Sequence, residues 1–463
     1  MKILPHQETT STFLSNSRFA GDFSGMGSGK TLTALTAVRK VRARHTRSSV
    51  LTIIVLPPIA IPMWIDEYER VVGGEAHWLK TGKAPIPEGA ECIVMSYAIA
   101  VAMINRLVAA ARRAGTTIMI TDEGQALKNK DAQRTRRLWL DKDALAVFCD
   151  HCWDLTGTPE TRWHDDLWPF LVRAKPRELL ELIGGTNLGP QGYKRFELRY
   201  CVTQLKKFSS KQRFAKRVVV GNRNTDELHT LIYGGDNPAA IRNELEDVWA
   251  LMPPLTTTVS TIALDAGPEL KRKLKQVEKM THRQIQEGLN KPEKDDDSLS
   301  RIRRELGEAK VKAAVQVLVD RAESGAGPLL VGCWHTDVID ALFNALVAKG
   351  YKTEIIDGRT SAAARSIKQT DFNNGDIDFL VCQLQAAGVS LNLQHGGNRI
   401  AVVEESFSPD EMDQFYARLR RMGQTDHVHA EILRAGTKLE EAITAISSAK
   451  DKDHKRLNRR IGT

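Results

Sequence analysis

A glycine-rich segment, SGMGSGKT at residues 24–31, constrains the fold of this chain more than any other stretch. A short apolar run at residues 19–23 precedes it, and an Ala/Leu-rich stretch with a helical repeat follows it. A glycine-rich turn between a strand and a helix directs backbone N–H groups into one concavity, where the helix dipole also favours an anion. The segment therefore predicts a phosphate-binding loop on an α/β framework.

The rest of the chain alternates between short apolar runs and longer stretches with a 3.6-residue repeat. Such alternation predicts parallel strands covered by helices. It occurs twice, in the first 160 residues and again from about Gly307, so two parallel sheets are expected. The runs interpreted as strands are 50–56, 92–95, 117–121 and 152–156 in the first part, and 329–333, 353–356, 379–382 and 400–403 in the second.

A chain of 463 residues exceeds one ordinary domain, so we expect several segments. Residues 164–252 break the alternation and are rich in Trp, Arg, Lys and helix formers, which favours a mostly helical insertion. The expected segments are a first lobe at 1–163, the insertion at 164–252, a strand at 253–265 returning to the first sheet, a charged helical linker at 266–306, a second lobe at 307–446 and a basic tail at 447–463.

An acidic pair supplies the chemistry that a phosphate loop requires. The apolar run ending at Thr121 is followed by Asp122 and Glu123, at the strand end where ligands bind in open α/β sheets. Lys30 is expected to reach the β- and γ-phosphates of ATP, Thr31 and Asp122 to hold Mg²⁺, and Glu123 to polarise the attacking water. The residues assigned to the nucleotide in this loop are Gly25, Gly27, Ser28, Gly29, Lys30 and Thr31.

The composition adds weaker indications. The formal net charge of +9 and the pI of about 9.1 suggest a polyanionic partner. Arg195, Lys206, Lys207 and Lys211 of the basic insertion are candidates for contact with a nucleic-acid backbone, and a solvated surface explains them about as well. The CxxC pair Cys149 and Cys152 has no second pair to complete a zinc site, so reduced thiols are expected.

The amino terminus turns polar at once, and no apolar run approaches the roughly 20 residues that span a bilayer. We therefore expect a cytoplasmic protein without a membrane partner.

Three segments resemble motifs I, II and III of superfamily-two helicases and occur in the same order: GMGSGKT, DEGQALKN and LTGTP (155–159). They are most similar to those of the Swi/Snf-type DNA translocases. LPHQ (4–7) resembles the Q-containing motif, which implies that Gln7 lies against the adenine. QFYARLRRMGQT resembles motif VI, which implies that Arg418 and Arg421 complete the ATP site when the lobes close. The resemblance implies two RecA-like lobes.

Finer features of the resemblance concern the branch of the family. The middle segment, with FELRYCV and DELHTLI, resembles annealing helicases that remodel stalled forks. Gln125 stands where the family usually has His, and Ala417 and Arg420 also depart from its pattern. These departures bear on the coupling between nucleotide and nucleic acid. Because the accessory domains of large members are absent, the resemblance implies a compact, bacterial or viral form.

Three functions fit these patterns. The leading one is an ATP-dependent translocase on duplex or forked DNA, with RNA a less favoured partner. The second is a strand-separating DNA or RNA helicase of the same superfamily. The third is a nucleotide-regulated adaptor that binds DNA without moving along it, which the intact set of Lys30, Asp122, Glu123 and Arg421 argues against.

Overall fold

The computed structural model of the chain contains two compact units, Met1–Asp247 with His454–Thr463, and Val248–Asp453. It describes residues 3–25, 27–160, 163–206, 216–243, 252–289, 297–325, 327–387, 391–421 and 423–457. For residues 206, 216, 362, 386, 387, 410 and 449–457 only the backbone is described. Of the basic candidates, Lys207 and Lys211 lie outside the described residues.

The first unit is built on a parallel sheet with the strand order β3-β4-β2-β5-β6-β1-β9. Its strand β2 is buried along its whole length, as expected for a parallel strand covered by helices on both faces. Ile53 belongs to one core cluster and Ile54 to the other, since successive side chains point to opposite faces. The strands are β1 Phe19–Asp22, β2 Val50–Leu56, β3 Ala76–Trp78, β4 Cys92–Ser96, β5 Thr116–Asp122, β6 His151–Leu155 and β9 Ala240–Ile241.

Helices cover both faces of this sheet. The α-helices of the unit are Pro5–Asn16, Lys30–Arg44, Ile61–Val71, Tyr97–Ala102, Ile104–Arg113, Gln133–Thr135, Trp168–Ala174, Pro176–Ile183, Pro190–Tyr200 and Thr225–Tyr233. Shorter helical turns lie at Pro58–Ala60, Gly124–Leu127, Arg136–Leu140, Leu145–Phe148 and His164–Leu167.

The segment 164–252 is less helical than its composition suggested. Between helices Pro190–Tyr200 and Thr225–Tyr233 it contains an antiparallel hairpin, β7 Cys201–Lys206 with β8 Lys216–Asn222, which forms a two-stranded sheet of its own. The segment also contains β9, which pairs in parallel with β1 at the edge of the first sheet. The strand that returns to the first sheet is therefore β9, and two residues are too short to show an apolar pattern.

The second unit has a parallel sheet with the order β10-β15-β14-β11-β13-β12. Together the two sheets confirm the predicted fold class, α/β with two parallel-sheet lobes. The strands are β10 Leu255–Thr261, β11 Leu329–Cys333, β12 Thr353–Ile356, β13 Phe379–Gln383, β14 Arg399–Val402 and β15 Val428–Arg434. The helices are Pro268–Val277, His282–Leu289, Leu299–Glu323, Thr336–Ala348, Ala362–Asn374, Leu384–Ala387, Pro409–Tyr416 and Lys438–Leu457.

The expected strand at 253–265 was assigned to the wrong sheet. β10 pairs in parallel with β15 along its whole length, from Leu255 opposite Val428 to Thr261 opposite Arg434. Most of β10 is exposed, as befits an edge strand, so its sequence carries little information about which sheet it joins. Its partner β15 lies more than 160 residues later in the chain.

The expected linker at 266–306 belongs to the packed body of the second unit. Leu270, Ile285 and Ile302 are buried in one cluster with Leu439 and Ile443 of the last helix. Helix Leu299–Glu323 continues through the boundary predicted between 306 and 307, and helix Lys438–Leu457 continues into the expected tail. Residues 290–296 of this expected linker lie outside the described residues. In the part of the chain that is described, no helix is long and apolar enough to cross a membrane.

Candidate nucleotide site in the first unit

Three loops with predicted functions lie side by side in the first unit. β1 pairs with β6, and β6 pairs with β5, all in parallel. The glycine-rich loop follows β1, Asp122 is the last residue of β5 with Glu123 directly after it, and LTGTP begins at Leu155, the last residue of β6. Because these strands are parallel neighbours, their carboxyl ends meet at one edge of the sheet, where ligands bind in such folds.

The glycine-rich loop curls over the start of helix Lys30–Arg44. Gly27 and Gly29 have positive φ angles of 78° and 82°, a region in which a Cβ atom is unfavourable. Lys30 begins the helix, and its Nζ donates to the carbonyl oxygens of Ser24 at 2.9 Å and Gly25 at 3.1 Å. The ammonium therefore lies inside the loop, held by backbone oxygens.

A buried carboxylate supports the loop from below. Asp22 is 2% exposed, and its Oδ1 accepts from the backbone N–H of Ser24 at 3.1 Å. Burial raises the pKa of Asp22 although the charge of Lys30 opposes the shift. Burial likewise lowers the pKa of Lys30 against the pull of Asp22, Glu123 and Asp122. The lysine and the three carboxylates thus form one electrostatic group.

A distant segment fixes the same loop from the side. The side-chain amide of Asn243 donates to Ser24 Oγ at 3.0 Å and to Thr10 Oγ1 at 2.9 Å, and the backbone carbonyl of Asn243 accepts from Gly25 N–H at 3.2 Å. The neighbouring Arg242 donates to the carbonyl of Phe23 at 2.8 Å. The end of the insertion therefore clamps a loop that lies 219 residues earlier in the chain.

The first helix contacts the loop through two side chains. Gln7 Nε2 donates to the carbonyl of Ser28 at 3.1 Å, and His6 Nε2 lies 3.1 Å from the same oxygen. Gln7 Oε1 accepts from Leu4 N–H at 3.1 Å, so both ends of this buried amide are used. The structure thus places Gln7 on the glycine-rich loop, and its contact with adenine stays a prediction.

The acidic pair is held by two aromatic residues. Trp64 Nε1 donates to Asp122 Oδ2 at 2.8 Å, and Tyr97 Oη donates to the Asp122 carbonyl at 2.9 Å. Burial, assisted by the charge of Glu123, raises the pKa of Asp122 to about 7. Glu123 has a left-handed backbone with φ 54°, which is uncommon outside glycine and marks a constrained position.

Gln125 connects the acidic pair to LTGTP. Its Nε2 donates to Glu123 Oε2 at 2.8 Å, and its Oε1 accepts from Thr156 Oγ1 at 2.6 Å. Thr156 Oγ1 in turn accepts from Thr158 N–H at 3.0 Å. Since a carboxylate only accepts, the amide must present its N–H to Glu123 and its oxygen to the hydroxyl. A glutamine at this position therefore bridges both loops with one side chain.

The turn after Glu123 fits closely against the next strand. Asp154 is buried, and its Oδ1 accepts from Thr121 Oγ1 at 2.6 Å. A Cβ atom on Gly124 would lie 1.8 Å from that same Oδ1. Burial raises the pKa of Asp154 to about 6. Position 124 consequently accepts only glycine in this arrangement.

The two predicted arginines lie in the second unit, near each other. Arg418 Nη1 donates to the Leu391 carbonyl at 3.2 Å, and Arg421 Nη1 donates to the same oxygen at 2.9 Å. Arg421 also donates to Asn392 Oδ1. Burial lowers the pKa of Arg421. Both guanidinium groups are thus directed at the segment AAGVSLNL, of which residues 388–390 lie outside the described residues.

The oxygen-bearing residues at the first-unit edge fit Mg²⁺. Asp122 and Thr31 offer a carboxylate and a hydroxyl, and Mg²⁺ takes such ligands together with water and substrate phosphates. Within the described residues, no three His, Cys, Asp or Glu side chains are grouped for a metal. The thiols of Cys149 and Cys152 are buried and donate to the carbonyls of Leu145 and Ala146.

Several contributors to this site were not predicted from the sequence. The sequence patterns indicate no role for Trp64, although a buried indole N–H requires an acceptor, which here is Asp122. Nothing in the spacing of residues pointed to Tyr97. Arg242 and Asn243 were missed because no local pattern reports a contact made across more than 200 residues.

Models of two known domain families match segments of this chain, one in each unit. A model of the SNF2-related domain matches residues 23–182, and a model of the helicase conserved C-terminal domain matches residues 309–423. Among curated relatives, the Xenopus tropicalis SWI/SNF-related matrix-associated actin-dependent regulator of chromatin subfamily A-like protein 1 is 24% identical, over 88% of this chain and 40% of its own length. The DNA annealing helicase and endonuclease ZRANB3 of Mus musculus is 23% identical, over 92% and 38%.

The chain thus spans about two fifths of the length of these relatives. A solved structure, the Sulfolobus solfataricus SWI2/SNF2 ATPase core in complex with dsDNA, is similar over 98% of this chain and 92% of that chain. Its sequence identity to this chain is 17%, and the TM-score is 0.43.

Proposed function

We propose that this chain, whose two units match models of the SNF2-related domain and of the helicase conserved C-terminal domain, is an ATP-driven motor that moves along duplex or forked DNA. One observation carries the proposal: the phosphate loop, the acidic pair and the Gln125–Thr156 contact converge at one edge of the first sheet. At that edge the glycine-rich loop would bind the phosphates and the Glu123 carboxylate would polarise water. The hydrogen bond between Gln125 and Thr156 connects this carboxylate to LTGTP.

Lys30 is proposed to change partners when nucleotide binds. In the structure its ammonium rests on the carbonyls of Ser24 and Gly25. Phosphate oxygens carry more negative charge than these carbonyls and would attract the ammonium out of the loop. The side chain would then lie on the β- and γ-phosphates, with the N–H groups of the loop around the same anion.

The acidic pair is proposed to divide the remaining work. Asp122 and Thr31 would hold Mg²⁺, which neutralises charge on the phosphates when it is bound. Glu123 would orient and polarise the attacking water, and Gln125 fixes the carboxylate through Oε2. Arg418 and Arg421 are proposed to supply positive charge to the transition state, a contribution of about 10³–10⁵ in rate where such arginines have been tested.

We propose that the chain moves along DNA and that hydrolysis of ATP drives this movement. Support comes from the names of the relatives, one of which is a DNA annealing helicase, and from the net charge of +9. A motor that follows the backbone through phosphate contacts has no need to open base pairs. We therefore propose translocation without strand separation.

ATP turnover with different nucleic acids tests this proposal. We expect Mg²⁺-dependent hydrolysis that duplex and forked DNA stimulate more than single strands do. No turnover with any DNA would overturn the proposal. Stimulation by RNA alone, or efficient unwinding of a tailed duplex, would instead identify a strand-separating helicase. DNA binding that responds to nucleotide in the absence of turnover would identify an adaptor.

The salt dependence of binding gives a second readout. Counterions are released when a protein neutralises phosphates, so affinity for DNA should fall steeply with salt. Six phosphate contacts on duplex DNA correspond to a log–log slope of about −5. A flat response would count against tracking along the backbone.

A further inference from the structure

Residues 239–243, which we call the brace segment, contain strand β9 and pair with β1. The pairing continues beyond the two residues of β9. Three N–H groups of β1 and the glycine-rich loop donate to alternate carbonyls of the brace segment, at 3.0, 2.8 and 3.2 Å: Gly21 to Ala239, Phe23 to Ile241 and Gly25 to Asn243. Such evenly spaced bonds are those of a parallel ladder, which here runs past the end of β1 into the loop.

The brace segment packs closely against β1. Ala239 and Ala240 are each 1% exposed, and they belong to the same core cluster as Phe23. A Cβ atom on Gly21 would lie 2.9 Å from the Cβ of Ala240, so only a glycine allows this approach of the two strands. The core therefore fixes the position of the brace segment, and the brace segment is a firm support for the loop.

Arg242 connects the glycine-rich loop to LTGTP. Its Nη1 donates to the carbonyl of Phe23, directly before the loop, at 2.8 Å, and to the carbonyl of Gly157 at 3.3 Å. One guanidinium nitrogen with two N–H groups can serve both carbonyls. Burial is the main cause of the lowered pKa of Lys30, and the charge of Arg242 acts in the same direction. The guanidinium thus lies among the charged groups of the candidate nucleotide site.

Asn243 connects the loop to the first helix. Its backbone N–H donates to Ser24 Oγ at 3.1 Å, and its side-chain amide bonds both Ser24 and the buried Thr10. Gln7 of the same helix holds the carbonyl of Ser28. The loop is therefore fixed near both of its ends to one helix, and the bond near its start depends on Asn243.

We propose that Arg242 and Asn243 are positioning residues for the nucleotide, which hold the glycine-rich loop in its binding form and at a set separation from LTGTP. The proposal rests on the proposed function in taking a nucleotide as the ligand of the loop. A phosphate is bound well by N–H groups that already converge before it arrives. A loop held by the brace segment has less conformational freedom left to lose on binding, so its affinity for the nucleotide is higher.

Variants of Arg242 with a matched control test the proposal. Arg242→Gln removes the charge and shortens the reach of the donor, whereas Arg242→Lys keeps a charged donor. Arg173→Gln is the control, because Arg173 is also half-buried and donates only to carbonyls outside the loop and LTGTP among its recorded bonds: those of Trp139, Leu140 and Asp141. Binding of a fluorescent ATP analogue with Mg²⁺ is measured at a temperature where thermal melts show every variant folded.

We expect the Kd of Arg242→Gln for the analogue to be roughly tenfold higher than that of the unmodified protein, since two hydrogen bonds to the loops are lost. Arg242→Lys should lie between the two. Arg173→Gln should melt earlier and keep the Kd of the unmodified protein. An unchanged Kd in Arg242→Gln, or an equal rise in the control, would overturn the proposal, because an arginine with a merely structural role would change only the melts.

Hydrogen exchange of the protein without nucleotide separates this proposal from the proposed function. Amides of residues 23–25 should exchange roughly tenfold faster in Arg242→Gln and in Asn243→Ala, and at the unmodified rate in Arg173→Gln. Equal exchange in all four proteins would overturn the proposal, because the loop would then not be held by these side chains. Absence of nucleotide binding in the unmodified protein would overturn the proposed function, and the exchange rates would still decide whether Arg242 and Asn243 hold the loop.

Discussion

The amide of Gln125 is bonded to the carboxylate of Glu123, with 2.8 Å between Nε2 and Oε2. The oxygen of the same amide accepts a hydrogen bond from the hydroxyl of Thr156. A histidine would present two ring nitrogens at this place, one of them a donor in the neutral form, and glutamine provides the same pair of functions. The departure at position 125 therefore preserves a connection between the acidic pair and LTGTP.

Breaking this bridge should slow hydrolysis. In Gln125→Ala the carboxylate of Glu123, which we propose polarises the attacking water, loses a charge-assisted hydrogen bond, a contribution of about 1.5–3 kcal/mol. We expect a roughly 10- to 100-fold lower kcat with little change in KM for ATP. Thr156→Val should have a related effect that is not additive with the first, because the two residues share one network. Thr156→Ser keeps the hydroxyl and should stay near the unmodified rate; additive effects would show that the bridge does not act as a unit.

Lys30→Ala should abolish ATP turnover. The substitution removes the ammonium that we expect on the phosphates, whereas the loop keeps its other supports from Asp22 and Asn243. Steady-state phosphate release and thermal melts measure the two effects separately. Arg39→Ala on the exposed side of the same helix is the control and should behave as the unmodified protein. Retained turnover with an unchanged melt would remove Lys30 from the site.

Glu123→Gln should bind ATP and hydrolyse it slowly. The substitution conserves size and removes the charge that we propose polarises water, and general-base catalysis typically contributes about 10²–10⁴ in rate. Binding of a fluorescent nucleotide and single-turnover hydrolysis distinguish the two steps. If nucleotide binding disappears together with hydrolysis, the residue has a structural role.

Gly124→Ala should destabilise the first unit. The new methyl group would meet Asp154 Oδ1 at 1.8 Å, so either the turn or the buried carboxylate must move. Overpacking of this kind typically costs about 1–3 kcal/mol. The position 267 in the second unit is open, with no heavy atom within 4 Å of an added Cβ, so Gly267→Ala is the control. Equal denaturant midpoints for the two variants would contradict the close fit seen here.

Asp154 should make stability depend on pH. Burial raises its pKa to about 6, above the value of about 3.9 for an unfolded chain. Between these two values the folded protein binds a proton that the unfolded chain has lost. The contribution of Asp154 to the free energy of unfolding therefore falls as pH rises from about 3.9 to about 6, and it is constant above that pH. Asp154→Asn has no such titration.

The melting temperature of Asp154→Asn minus that of the unmodified protein should therefore increase as pH rises from about 4 to about 6, and it should be constant above that pH. Asp236→Asn, at an exposed aspartate, should follow the unmodified protein throughout. A constant difference across the whole range would mean that Asp154 does not titrate with a raised pKa.

The local parts of this structure were predictable from sequence, and the long-range parts were not. Strands β2 and β11 have the predicted bounds because buried parallel strands are continuous apolar runs. The edge strand β9 was not predicted, because two residues are too short to show a pattern. The edge strand β10 was assigned to the wrong sheet, because it is mostly exposed. The acidic pair was predicted from its place after a strand, whereas Trp64 and Asn243 reach the site only through tertiary packing.

The pairing of β1 with both β6 and β9 has a consequence for synthesis of the chain. β1 leaves the ribosome well before its edge partner at Ala240–Ile241 and before the clamp at Asn243, which lies 219 residues after Ser24. Chains synthesised from the amino end fold domain by domain. The nascent first lobe must consequently wait with an open sheet edge beside its glycine-rich loop, and a ribosome stalled before residue 240 would release a lobe that is unable to close it.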